Sequence, residues 1–157
     1  MAHSLKPAFD LEQHPFYWLT QVIDARDRQL NQALREHGLR VPEWRALAAL
    51  AARGLMSMSE LSDAASIDRT TLTRTVDRMQ AAGWVTRVAD DADLRVTRLA
   101  LATAGERLFV RIRPIVERLN RAALAGLSDD SVYALRASLA RMRANLDAEL
   151  SAQRRAA

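Results

Sequence analysis

This sequence predicts a mainly helical fold interrupted once by a β hairpin, and three observations carry the prediction. Strong helix formers, chiefly Ala, Leu and Arg, dominate the chain, while Gly (5) and Pro (4) are scarce. Ser57 and Glu60 form a capping-box pair at the head of one short apolar segment, and Asp68 heads the next. Straight afterwards the pattern changes to β-branched, partly alternating runs at 84–88 and 96–101.

The elements follow in order. After an aperiodic start through Pro7, the apolar residues Phe16, Leu19, Ile23, Leu30 and Leu34 recur at helix-like intervals, and Gly38 suits the left-handed cap beyond them. Pro42, favoured at a first helical position, opens a second helix that buries Trp44, Leu47 and Leu50 before Gly54. The helix opened by Ser57-Met58-Ser59-Glu60 is short, with Leu61, Ala64 and Ala65 as its apolar contacts. Asp68 then caps a helix over 69–82 that Gly83 closes. Two short helices joined by about three residues make a helix-turn-helix. The two strands, with the polar tip 89–94 between them, add a two-stranded wing, so the middle of the chain reads as a winged helix-turn-helix. Further on, Leu108, Ile112, Ile115 and Leu119 form a helical stripe in which Pro114 should bend or interrupt the helix. Ser128 caps a last helix whose Val132, Leu135, Leu139, Met142, Leu146 and Leu150 follow nearly heptad steps.

Composition narrows the function. The 157 residues suit one domain, 1–157, able to bury a core without disulfides or metal. No apolar run is long enough to span a membrane and no signal-peptide pattern opens the chain, so a cytoplasmic protein is expected. Zero Cys removes thiolate catalysis, disulfide switching and Cys-ligated zinc. His3, His14 and His37 have no metal-ligand spacing, Asp90, Asp91 and Asp93 suit a solvated turn, and Asp129 and Asp130 suit a helix N-terminus. With no Gly-rich phosphate loop, nucleophile elbow or dinucleotide fingerprint, neither an enzyme nor a cofactor is expected. The net charge of +4 comes from the middle and C-terminal parts, and all basic residues but Lys6 are Arg. That excess permits a polyanionic partner without diagnosing one, and genome composition explains heavy Arg use equally well.

Helical geometry sharpens the reading of 69–82. At about 100° per residue, Val76 and Met79 fall beside Leu72 on the inner face, and Thr70, Thr73, Arg74, Asp77 and Arg78 fall opposite. Arg can contact guanine O6 and N7 in bidentate fashion, and Thr offers a hydroxyl and a methyl. Arg69 and Arg78, nearer the edges of the face, suit phosphates, and Asp77 can hold Arg74 from three residues away. At the wing tip, Asp93 can extend Arg95 toward a narrow minor groove. A solvated face and a surface ion pair are the plain alternatives, and for Arg87 and Arg98 approach to the flanking DNA backbone and a merely solvated charge are balanced. The order of capped short helix, turn, Arg/Thr-faced helix and hairpin favours DNA for the face as a whole.

These residues resemble the MarR (multiple antibiotic resistance regulator) family of transcription factors. The likeness lies in Trp44-Arg45-Ala46-Leu47, Met58-Ser59-Glu60-Leu61 and the run Asp68 to Met79, which includes Thr71. Gly83-Trp84-Val85, Asp93-Leu94-Arg95 and Leu99-Ala100-Leu101 with Gly105 complete it. The chain departs from the family pattern at Leu94, commonly basic, at Ala102, usually Thr, and at Val41, usually Thr or Ser. The resemblance implies a transcriptional regulator with Arg69, Thr70, Thr71, Thr73, Arg74, Arg78, Asp93 and Arg95 on double-stranded DNA. The reader would span 42–105.

The helices at 10–38 and 106–150 carry apolar stripes that need burial, and the resemblance favours a homodimer on a pseudo-palindromic operator. It also implies release by a small aromatic or phenolic acid, for which His14, Trp18, Trp44 and Arg45 are the candidate wall and cation. Tryptophan in a helix more often serves the core. The family's hydroperoxide-sensing branch needs Cys, which this chain lacks. The rival reading is a winged-helix protein-interaction module using the 70–78 face. Repression and activation are not separable by sequence.

Overall fold

The computed structural model describes residues 10–89 and 97–156. By contact density the chain divides into two compact units, residues 1–119 and 120–157.

The first unit begins with a single 3-10 turn, Leu11–Gln13, capped by Asp10, and continues into α1, Pro15–Arg35. Only the C-terminal half of α1 enters the core, through Leu30 and Leu34. Phe16, Trp18, Val22 and Ile23 remain about half exposed. Gly38, at φ +70°, turns the chain, and α2 runs over Val41–Arg53. Its cap is Arg40, whose backbone N–H donates to the Glu43 carboxylate at 2.8 Å. Val41 is therefore already helical and buried, which is why an apolar residue is tolerated before Pro42.

The capping box at the head of α3, Met58–Ala65, forms as its sequence dictates. The Ser57 N–H donates to Glu60 Oε2 at 2.7 Å and the Glu60 N–H to Ser57 Oγ at 3.3 Å. Ser66 closes α3 in the left-handed region, at φ 52°. Helix α4, Arg69–Ala81, starts on Asp68, whose carboxylate accepts the Thr71 N–H at 2.9 Å, and Gly83 at φ +70° turns the chain out of it.

The hairpin pairs β2, Val85–Ala89, with β3, Thr97–Leu101, in antiparallel register from Val85 opposite Leu101 to Ala89 opposite Thr97. A two-residue strand, β1 at Met56–Ser57, adds to the other edge of β3, giving the order β1-β3-β2. Helix α5, Thr103–Ala123, runs uninterrupted through Pro114, so interruption does not occur there. Its buried stripe is Leu108, Ile112 and Val116, with Ile115 and Leu119 half-buried at its edge. Leu47, Leu61, Leu72, Met79, Leu99 and Ile112 are fully buried in one cluster. At about 1.5–3 kcal/mol each, such side chains fix α4 and the sheet to the helical scaffold.

The second unit comprises the end of α5, a turn through Gly126 at φ +86°, and α6, Asp129–Ala156. Ser128 caps α6, accepting the Ser131 N–H at 3.2 Å. Along α6, Leu135, Leu139, Leu146 and Leu150 are 37–58% exposed, and Val132 and Met142 are half-buried.

Candidate nucleic-acid interface

Helix α4 has two chemically distinct sides. Leu72, Val76 and Met79 are buried on one, each at 1% exposure or less. Arg69, Thr70, Thr71, Thr73, Arg74, Asp77 and Arg78 are exposed on the other. Thr75 is buried, its hydroxyl donating to the Thr71 carbonyl at 2.8 Å, and the Thr73 hydroxyl donates to the Arg69 carbonyl at 2.9 Å. The Thr73 oxygen thus keeps its lone pairs, and its methyl stays available to a partner. Thr71 N–H and hydroxyl hold the Asp68 carboxyl below the usual carboxylate range, favouring the charged form of the cap.

The charged groups sort themselves. Among the described residues, Arg69 and Arg74 have no ion-pair partner, so both guanidinium groups are available to a ligand. Asp77 does not hold Arg74. It pairs instead with Arg87 of β2 at 3.3 Å, because the strand brings a cation nearer than the preceding turn does. Arg98 of β3 similarly reaches Glu60 at 3.2 Å, so both strand arginines carry structural ion pairs tying the wing to the helices. Arg78 is also engaged. Its Nε lies 3.1 Å from Oε1 of Glu43, a carboxylate only 2% exposed on α2. With Oε2 accepting the Arg40 N–H, Glu43 links the start of α2 to α4.

Sequence reading missed Glu43, although the signal was present: it shares the buried face of Leu47 and Leu50, four and seven residues on. It also missed Arg40, which lines a concavity of about 180 Å³ with Pro42, Thr71, Arg74 and Arg78. Asp93, Leu94 and Arg95 lie outside the described residues.

The four residues read as an effector site fall into two groups. Trp44 is buried and stacks on Phe109 with ring centroids 5.5 Å apart, so it serves the core. Arg45 donates to Asp27 at 2.9 Å, and Arg26 reaches the same carboxylate at 3.2 Å. Trp44 and Arg45 line one concavity with alanines of α2 and α3, whereas His14 and Trp18 do not line it. His14 caps α1, and the half-exposed Trp18 donates its indole N–H to the Glu12 carbonyl at 2.7 Å.

A capped helix presenting three threonines and two arginines that have no ion-pair partner among the described residues, braced by a hairpin, defines a winged helix-turn-helix DNA-binding protein. The family model described as the MarR family matches residues 37–95. The HTH-type transcriptional repressor IacR of Pseudomonas putida is 32% identical over 127 residues, covering 81% of this chain and 76% of that protein. A MarR-family transcriptional regulator from Silicibacter pomeroyi superposes with TM-score 0.79 at 29% identity, covering 87% of this chain and 92% of that one. A mutant of Escherichia coli MarR solved in complex with operator DNA gives 0.70 at 25% identity, with 80% and 90% covered. Bordetella bronchiseptica BpsR, whose DNA binding is regulated by 6-hydroxynicotinic acid, shares the fold at TM-score 0.73 and 22% identity, with 82% and 97% covered. The chain belongs to the MarR family of transcriptional regulators and is not an enzyme. Among the described residues, no helix is long and apolar enough to cross a membrane, and no group of three or more metal-ligating side chains forms.

Proposed function

We propose that the chain is a homodimeric repressor that reads a pseudo-palindromic operator and is released by a small aromatic acid. The observation that carries the DNA reading is the pair Arg69 and Arg74, unpartnered among the described residues on a helix whose opposite face is locked in the core. Residues 42–105 form the reader in this account. Arg74 and Thr70 read base edges in the major groove, Arg69, Thr71 and Thr73 meet the flanking backbone, and Arg95, extended by Asp93, enters the minor groove. Arg40 joins the phosphate contacts at the head of α2. Arg78 acts mainly by positioning α4 through Glu43, with its outer guanidinium edge toward phosphate.

Dimerisation by the helices of 10–38 and 106–150 is supported by the exposed apolar residues of α1 and, separately, of α6, each of which a partner subunit would cover. The repressor assignment draws on the likeness to IacR, and release by an aromatic acid on the likeness to BpsR. Footprinting on DNA upstream of the protein's own gene tests the reading. Two protected half-sites about one helical turn, roughly 34 Å, apart are expected. Uniform, weak protection of every fragment would instead favour a protein partner for the 70–78 face.

A further inference from the structure

The outer face of α4 carries more polar side chains than are free to read a base. With Leu72 pointing inward and about 100° per residue, Thr70, Arg74 and Asp77 lie within about 40° of the direction opposite the core. Asp77 is drawn off by Arg87 of β2 at 3.3 Å. Farther round the helix, Arg78 is drawn off by Glu43 at 3.1 Å. Arg69 has no ion-pair partner among the described residues, but its angle places it at the edge of the face, toward phosphate.

The threonines of α4 divide in the same way. Thr71 gives its N–H and hydroxyl to the Asp68 cap, Thr73 gives its hydroxyl to the Arg69 carbonyl, and Thr75 is buried. The Thr70 hydroxyl forms no hydrogen bond among the described residues, and its side chain is exposed. Thr70 and Arg74 are therefore the two side chains that are both central to the face and uncommitted.

Their spacing and chemistry fix what they can read together. At a rise of about 1.5 Å per residue they stand about 6 Å apart along the helix, close to two base-pair steps of roughly 3.4 Å. A recognition helix meets base edges with its N-terminal residues, so the short Thr70 sits in the turn nearest the groove floor. Arg74, one turn back, has the longer reach. Guanine alone offers two acceptors, O6 and N7, on its major-groove edge, which matches a guanidinium group, and thymine alone offers a methyl there. An unpaired Asp77 would have favoured the cytosine amino group, and its pairing with Arg87 removes that preference.

We propose that each operator half-site presents a guanine to Arg74 and, about two base pairs away, a thymine to Thr70, and that these two contacts carry the direct readout by α4. The base identities rest on the assignment of α4 as the DNA reader made above.

Selection of bound duplexes from a randomised library by the full-length protein gives the site, and single-atom changes within it give the contacts. 7-Deazaguanine deletes N7, and uracil deletes the thymine methyl, while base pairing is kept. The selected half-site should hold a guanine and a thymine about two base pairs apart. By fluorescence anisotropy at fixed salt, 7-deazaguanine should weaken wild-type binding about 2- to 12-fold, one hydrogen bond's worth, and leave Arg74→Ala unaffected. Uracil should weaken wild-type binding about fourfold, one buried methyl's worth, and leave Thr70→Ser, which keeps the hydroxyl, unaffected. Both substituted positions are exposed, so the variants should melt with wild type. A selected site that lacks the guanine–thymine pair, or in which either change is without effect on wild type or weakens wild type and variant equally, would overturn the assigned bases and leave α4 a DNA reader. Weak binding to every duplex with no sequence selected would overturn the reader as well.

Discussion

Gly105 offers a sharp test of how the wing is joined to α5. A Cβ built on it would lie 2.1 Å from the Trp84 carbonyl oxygen and 3.0 Å from its carbonyl carbon. Carbon–oxygen contacts settle near 3.3 Å, so Gly105→Ala requires a shift of about 1 Å between two backbone segments. Neither segment yields cheaply, because the same oxygen accepts the Ala102 N–H and the Trp84 N–H is bonded to Met79. Overpacking of this kind costs about 3 kcal/mol at its upper end, and a strained hydrogen bond adds about 1. Replacing a helical Gly by Ala returns about 1 kcal/mol. The net loss is about 3 kcal/mol, or roughly 6–12 °C in melting temperature at about 2–4 °C per kcal/mol for a chain of this size. Thermal and urea unfolding followed by circular dichroism measure it. A melting temperature within about 2 °C of wild type would refute the argument, since the close approach could then not be what fixes the Trp84 corner.

Other expectations follow from single contacts. Glu43→Ala removes the acceptor for Arg40 N–H and Arg78 Nε. Because Arg78 is 42% exposed and can rehydrate, the cost should be about 1–3 kcal/mol rather than the roughly 3–5 of a fully buried pair. A double-mutant cycle with Arg78→Ala by urea unfolding should show coupling, and strict additivity would contradict the bridge. Asp68 has its folded-state pKa lowered, so its stabilising effect is complete above the ordinary carboxylate range and is lost as pH falls through the lower folded value. The stability gap between wild type and Asp68→Asn should therefore close in acid, and a gap constant with pH would argue against the charged cap. Light scattering should give a mass of twice 17.5 kDa, and Leu139→Glu or Leu146→Glu on α6 should shift it toward 17.5 kDa. A wild-type monomer at micromolar concentration would refute the dimer.

Local chemistry was well written in the sequence, and tertiary pairing was not. Ser57 with Glu60, Asp68, Gly83 and Ser128 each start or end an element where residue type alone places it, because caps are satisfied within a few residues. The inner and outer faces of α4 followed from its period. The strand β1 was not legible, since two residues carry no alternation and Met56 pairs with Leu99 far along the chain. Helical spacing placed Asp77 with Arg74, but the wing supplied Arg87 from outside the helix. Arg78 looked like a free edge cation until the fold brought a buried Glu43 to it. Trp18 and Trp44 looked alike as helical tryptophans, yet only Trp44 faces neighbours that cover it.

The central claim is that the outer face of α4 reads DNA sequence. Fluorescence anisotropy on DNA from upstream of the protein's own gene, comparing wild type with Arg74→Ala across a salt series, tests it most directly. Wild type should bind one fragment tightly with a steep salt dependence, and Arg74→Ala should lose about 1–3 kcal/mol, roughly 5- to 150-fold, on that fragment while retaining weak general binding. Equal affinity of the two proteins for every fragment, with little salt dependence, would contradict the account.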